Sequence, residues 1–195
     1  DFKEYIEMWI HEAKLPLASL NLIVHNHKEL SDKKITEQLK RLDDDIEQVL
    51  YYVRSENAEK DYLIKETEIA KVISNVAIKN KDILLENNID FEVEVGNTKV
   101  LTDSKWLEFI VNQIVSNSIK YIRDDVEHLI KITTEENNKN VILKIYDNGI
   151  GISKSDIPKV FDKTFTGNNG RKIETSTGMG LYISKQLCKK LGHKI

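Results

Sequence analysis

Residues 147–152 read DNGIGI, directly after an alternating apolar run from Val141 to Tyr146. A period of two followed by Asn-Gly marks a strand that ends in a tight turn. Asp147 then leaves a carboxylate at the strand's end, and an aspartate accepting from an exocyclic amine would select adenine. Gly149 and Gly151 remove side chains where backbone must pass close to something flat. Taken alone, the segment is equally an ordinary β-turn, so its neighbours have to decide.

Upstream, NQIVSNSIKY spans residues 112–121. Gln113, Asn117 and Tyr121 are spaced by four and share one helix face, with Lys120 beside them. Carboxamide oxygens there can serve a hard cation such as Mg²⁺, and a lysine can meet phosphate. The competing reading is a plain polar helix face. Downstream, TFTGNNGRKIETSTGMGLY covers residues 164–182, anchored at its start by Phe161 and Phe165. It is polar and glycine-rich, and it opens a helix at Gly178-Met179-Gly180. Amides at such a helix start form a phosphate site, and the glycines before it allow a lid. The segment matches neither G-x-x-x-x-G-K-[ST] nor a dinucleotide fingerprint after a strand. Six of the eight glycines lie between Gly149 and Gly180, and the first half of the chain has only Gly96. The two halves are therefore different kinds of object.

The remainder of the second half reads as a mixture of helices and strands. Ile69, Val72, Ile73, Val76 and Ile83 mark one amphipathic helix ending near Asn87-Asn88. Phe91, Val93 and Val95 alternate as a strand up to Gly96-Asn97, and Val100-Leu101 begin another. Asp103 caps a helix whose core face carries Leu107, Ile110, Val111, Ile114 and Val115. Strands over Leu129–Thr133 and Val141–Tyr146 follow, and a last helix runs from about Gly178 to Leu191. This order gives an α+β layer and not a regular β-α-β repeat.

The first sixty residues carry two heptad-like stripes. Ile6, Ile10, Ala13, Leu17, Leu20 and Val24 form one; Ile35, Leu39, Leu42, Ile46, Val49 and Val53 form the other, after a break at Ser31-Asp32. Two such helices joined by a short polar turn make an antiparallel hairpin. One hairpin cannot bury both stripes, so the expected solution is a dimer forming a four-helix bundle. His11 lies one residue past Ile10, at the solvent edge of the seam, with Lys14, Leu15 and Ala18 along the same stripe. Glu12 can reach the imidazole from the side and accept its proton, which makes the other ring nitrogen a nucleophile. Pro16 cannot donate to the Glu12 carbonyl and predicts a bend within one turn of His11. Residues 56–66 are polar and without a sustained period, so the expected boundary lies near Asp61: a hairpin over 1–60 and a second domain over 61–195.

Bulk composition excludes several classes. With 40% hydrophobic and 31% charged residues, the chain is neither disordered nor membrane-spanning. A net charge of −3 offers no basic footprint for nucleic acid. A lone cysteine, Cys188, excludes an internal disulfide and reads as a small buried residue. The aspartates 43–45 read as solvated helix exterior.

Taken together, these segments resemble the cytoplasmic part of a sensor histidine kinase of a bacterial two-component system. IHEAKLPL resembles the H box, NQIVSNSIKY the N box, DNGIGI the G1 box, FDKTF the F box and TGMGLYIS the G2 box, in the family order. The resemblance implies a dimeric helical hairpin followed by a Bergerat-type ATP-binding α/β sandwich. It implies that His11 accepts the γ-phosphoryl group of ATP with Glu12 as base, within a site shaped by Lys14, Leu15 and Pro16. Asn117, with Gln113, would hold Mg²⁺, Asp147 the adenine amino group, and the Gly178, Met179, Gly180 and Leu181 backbone the phosphates. Lys120, Tyr121, Phe161, Phe165 and Thr177 would complete the nucleotide pocket. The phosphoryl group would pass to an aspartate on a response regulator. The finer wording of WIHEAKLP, FTGNNGR and STGMGLY is similar to intramembrane-sensing kinases of Gram-positive bacteria that respond to peptide antibiotics, often with an ABC transporter.

Three departures from the family pattern carry expectations of their own. Members commonly place Thr or Asn four residues after the histidine, to position a water for dephosphorylating the regulator. Leu15 stands there, which predicts weak phosphatase activity or one that uses another group. Gln113 replaces the usual first asparagine of the N box. Many members have an arginine just after the F box, where this chain has Thr166; Arg171 or Lys172 would serve instead. The family also has strands after the last helix and a membrane segment before the first, so the chain reads as the cytoplasmic fragment of a plasma-membrane protein. Two alternatives compete: an ATPase or chaperone-like relative whose hairpin only dimerises, and a dimeric scaffold with a degenerate ATP site. HEAKLP on a dimer-forming helix argues against the first. The joint presence of Asn117, Asp147, Gly149 and Gly151 argues against the second.

Overall fold

The computed structural model describes residues 2–26, 33–56, 62–123, 125–137, 139–167 and 177–195, with the side chains of 2–5, 7–9, 11, 12, 33 and 34 outside that description. The chain divides into two compact units, Asp1–Lys60 and Asp61–Ile195.

The first unit consists of α1 (Phe2–Asn26) and α2 (Lys33–Glu56), packed against each other. Ile10, Leu17, Ile46 and Leu50 form its buried cluster, flanked by Ile6, Ala13 and Leu39. Six residues span at most about 21 Å while α1 alone is about 37 Å long, so packed helices joined this way must run antiparallel. The two expected stripes are only half used within one chain. Ile46 is 7% exposed, whereas Leu20, Ile35, Leu42 and Val49 stay between 42% and 49% exposed. Helix α1 continues as one element through Pro16.

In the second unit, β1 (Lys65–Glu68) pairs antiparallel with β3 (Lys99–Thr102). A three-stranded sheet is ordered β2 (Ile89–Glu94), β4 (His128–Glu136), β5 (Val141–Asp147). β2 runs parallel to β4, and β4 antiparallel to β5. Helices α3 (Ile69–Lys79) and α5 (Ser104–Lys120) pack together, and their Val72, Val76, Val111 and Val115 bury Ile130 and Ile132 of β4. The other face of the sheet exposes Ile142 and Tyr146. Helix α6 (Gly180–Lys190) packs on α5, where Ile183 and Leu187 are fully buried.

Local chemistry explains the element ends. Asp103 Oδ1 accepts from the amides of Lys105 (2.9 Å) and Trp106 (3.0 Å), the expected N-cap of α5. Its Oδ2 accepts from the Leu63 amide at 2.8 Å and ties down the start of the unit. At the other end the His193 amide donates to the Cys188 carbonyl (2.8 Å), and the His193 ring meets Thr102 Oγ1 at 2.9 Å. Cys188 is buried, which pushes its thiol up to about 11 and makes it a packing residue.

The structure differs from the sequence reading in two elements. The single helix expected over Ile69–Ile83 is two, α3 and α4 (Lys81–Glu86), parted at Asn80. Asn80 is buried and donates to the Val76 carbonyl (2.9 Å) and to Asn112 Oδ1 (2.7 Å). The break shifts the helical phase, so Leu84 is buried and Ile83 is not. β1 begins inside the stretch that lacks a period and was not expected, because only Thr67 of its four residues is buried.

Candidate functional site

Strand periodicity aims Asp147 at the helix layer. Val141, Leu143 and Ile145 of β5 point into the core, and Asp147 continues that face opposite Ile130 of β4. The core gives out at this last position, and the carboxylate lies beneath α5 instead of hydrocarbon. Asp147 Oδ2 is 3.1 Å from Ser118 Oγ on α5, and Oδ1 accepts from the Gly149 amide at 3.0 Å. The Ile150 amide donates to the carbonyl of Tyr121, the C-cap of α5, at 2.9 Å. DNGIGI is thereby fastened to the end of the helix carrying Gln113, Asn117 and Lys120. The side chains of all three are half-buried, within one or two turns of that junction.

Gly149 is required by the junction itself. A Cβ there would lie 2.5 Å from the Tyr121 carbonyl oxygen and 2.9 Å from Asp147 Oδ1. This close approach is to the protein's own backbone. Gly151 has no other protein atom near its Cβ position but a φ of +68°, a conformation that favours glycine. Asn148 completes the junction: its Oδ1 accepts from the Leu129 amide (2.9 Å) and its Nδ2 donates to the Glu127 carbonyl (2.7 Å).

The third segment meets the helix start it was expected to build. Gly178 has φ +67°, and a Cβ there would lie 2.6 Å from the Thr164 carbonyl carbon and 2.7 Å from the Phe165 oxygen. Thr164 itself has φ +59°, a conformation that few side chains adopt. The F-box backbone and the G2 start therefore fit together only through a glycine. Lys185 lies 5.5 Å from the Phe161 ring centroid and Lys163 5.9 Å from that of Tyr182, so cations brace this corner. The Met179 amide donates to Thr177 Oγ1 at 3.3 Å. Met179 is the N-cap of α6 and its side chain caps nothing, so the first-turn amides, those of Gly180 and Leu181 among them, are groups that an anion can meet. Arg171 and Lys172 lie outside the described residues.

On α1, Lys14 is half-buried, Leu15 is 71% exposed and Pro16 is exposed. His11 and Glu12 sit on the helix, and their side chains are outside the description. Among the described residues no three His, Cys, Asp or Glu side chains gather as a metal site. Any Mg²⁺ would rely on carboxamide oxygens such as those of Asn117 and Gln113 together with phosphate and water, a donor set that suits this ion. Sequence reasoning missed Ser118 and Asn148. Neither stands out by type, since their partners, Asp147 for Ser118 and Glu127 and Leu129 for Asn148, lie far off in sequence.

Residues 102–195 match the family described as "Histidine kinase-, DNA gyrase B-, and HSP90-like ATPase". The chain is 30% identical to sensor histidine kinase YxdK of Bacillus subtilis over 98% of its own length and 59% of that protein's. It therefore spans about three-fifths of that curated relative. Its fold is similar to full-length ShkA in complex with AMPPNP (TM-score 0.72, 18% identity, 97% of this chain and 41% of that one). A second similar fold is histidine kinase ThkA in complex with response regulator protein TrrA (TM-score 0.61, 20% identity, 98% and 55%).

Proposed function

Because the chain belongs to the sensor histidine kinases, we propose that it transfers the γ-phosphoryl group of Mg-ATP to His11 and from there to an aspartate of a response regulator. The observation that carries this reading is the junction of α5 with the DNGIGI turn. It brings a carboxylate, two carboxamides and a lysine to the last turns of one helix.

In this reading Asp147 accepts from the adenine amine, and Asn117 with Gln113 holds Mg²⁺, which would neutralise charge on the phosphates. Lys120 and the first amides of α6 bind the phosphates themselves, and Tyr121, Phe161, Phe165 and Thr177 shape the pocket; Arg171, outside the described residues, is assigned to the nucleotide from the family resemblance alone. A neutral His11 nitrogen forms a bond to the γ-phosphorus as the bond to the β-bridging oxygen breaks, releasing ADP. Glu12 takes the proton from the other ring nitrogen, which keeps the imidazole nucleophilic. The rest is positioning and charge neutralisation.

The half-exposed stripe on α1 and α2 supports a homodimer in which a second hairpin completes a four-helix bundle. The response regulator follows from the same chemistry, and the ThkA–TrrA complex is its structural parallel. Partnership with an ABC transporter, and attachment of the whole protein to a plasma membrane, rest on the resemblance to antibiotic-responsive kinases. Among the described residues no helix is long and apolar enough to cross a membrane.

Incubation with γ-labelled ATP and Mg²⁺ tests the reading. The expected product is acid-labile, alkali-stable label that is lost in His11→Gln while ATP binding persists. Label surviving in that variant would remove His11 from the mechanism. ATP turnover with no label in the intact chain would favour the ATPase alternative.

A further inference from the structure

Ser118 is 4% exposed, and it sits in the last turn of α5, between Asn117 and the C-cap. Serine is a poorer helix former than alanine, and a buried hydroxyl is costly unless it is bonded. Two acceptors are in reach: the Ile114 carbonyl at 3.2 Å and Asp147 Oδ2 at 3.1 Å. The hydroxyl has one hydrogen, and the carboxylate is the stronger acceptor because it is charged. The backbone carbonyl also already belongs to the helix ladder.

We propose that Ser118 is a positioning residue for nucleotide selection, pinning the Asp147 carboxylate in the orientation that accepts an adenine amine and rejects a guanine. The inference rests on the reading of Asp147 given above. The terminal torsion of an aspartate is broad and roughly two-fold, so a carboxylate held at one oxygen can still swivel. Here Oδ1 is held by the Gly149 amide and Oδ2 by Ser118. Each oxygen keeps a lone pair for a ligand. Adenine presents an N6 amine donor where guanine presents the O6 acceptor. A fixed carboxylate binds the first and repels the second, and a swivelling one discriminates less.

The test is competition of ATP and of GTP against a fluorescent ATP analogue, with Mg²⁺, on the 195-residue chain. Ser118→Ala is expected to weaken ATP about tenfold, the worth of one hydrogen bond to a charged group, and to leave GTP nearly unchanged. The ATP:GTP preference falls by the same factor. A serine needed only for packing would weaken both nucleotides together and leave the preference alone, which would overturn the proposal. Asp147→Asn separates the two levels of the argument. It is expected to lower the preference at least as far, and Ser118→Ala added to it should change nothing more. If Asp147→Asn collapses the preference while Ser118→Ala spares it, the role of Ser118 is overturned and that of Asp147 stands. A preference intact in Asp147→Asn overturns the adenine reading, and this inference with it.

Discussion

Glycines 149 and 151 sit two residues apart in one turn, yet they answer to different physics. At position 149 an added methyl would meet the Tyr121 carbonyl at 2.5 Å, so the turn and the end of α5 would have to part. Gly149→Ala is expected to cost about 2–3 kcal/mol, in the range of overpacking a fixed core. At position 151 the space is open and only the positive φ resists, so Gly151→Ala should cost about 1 kcal/mol. Urea denaturation of both variants checks the order, and ATP affinity should fall more in the first. His193 supplies a prediction about pH. Burial lowers its pKa below 6.5, so the native state favours the neutral ring. Its contribution is complete above pH 6.5 and is lost as pH falls through the lowered native value. The melting temperature should therefore drop between pH 7 and pH 5 by less in His193→Gln than in the parent chain. A third expectation concerns Leu15, 71% exposed and without a hydrogen-bonding group. Leu15→Thr should speed dephosphorylation of a phosphorylated regulator several-fold, on the order of one hydrogen bond to a positioned water.

Elements came through the sequence in proportion to how much of their pattern is buried. Strands β4 and β5, helix α5 and the Asp103 cap were all legible, because a period or a capping residue survives in each. Strand β1 was not, since a four-residue edge strand with one buried side chain has no period to read. The parting of α3 from α4 was hidden for a different reason. Asn80 lies in a run that reads as one helix, and its partner Asn112 is 32 residues away. The site divides in the same way. Asn117 and Asp147 announce themselves by type and spacing, whereas Ser118 matters only through Asp147, 29 residues on. Gly149 was visible, but its purpose depends on a carbonyl that only the fold brings near. The Asn80–Asn112 bond makes the element-scale prediction. Asn80→Ala leaves Asn112 Oδ1 buried without that donor, so stability should fall by about 1–3 kcal/mol in urea denaturation.

Across the whole molecule, the two units put their unsatisfied surface to different uses. The second unit buries its own core and leaves polar groups and helix-end amides for a ligand. The first leaves hydrocarbon. Leu42 is 49% exposed, Ile35 43% and Val49 42%, on a helix whose Ile46 and Leu50 are already spent on α1. A charge at position 42 costs a lone hairpin little, because the side chain is half in water already. The same charge in the seam of a four-helix bundle would be buried once from each subunit, without a partner, and that is strongly unfavourable. For the proposed dimer, Leu42→Glu should therefore give monomer in sedimentation equilibrium while helicity and ATP affinity stay near the parent values. Ile46→Glu is the contrast: at 7% exposure it strikes the cluster within one hairpin, so helicity itself should fall. A Leu42→Glu chain that still sediments as a dimer would mean that this stripe is not the seam, and the exposed leucines would then need another partner.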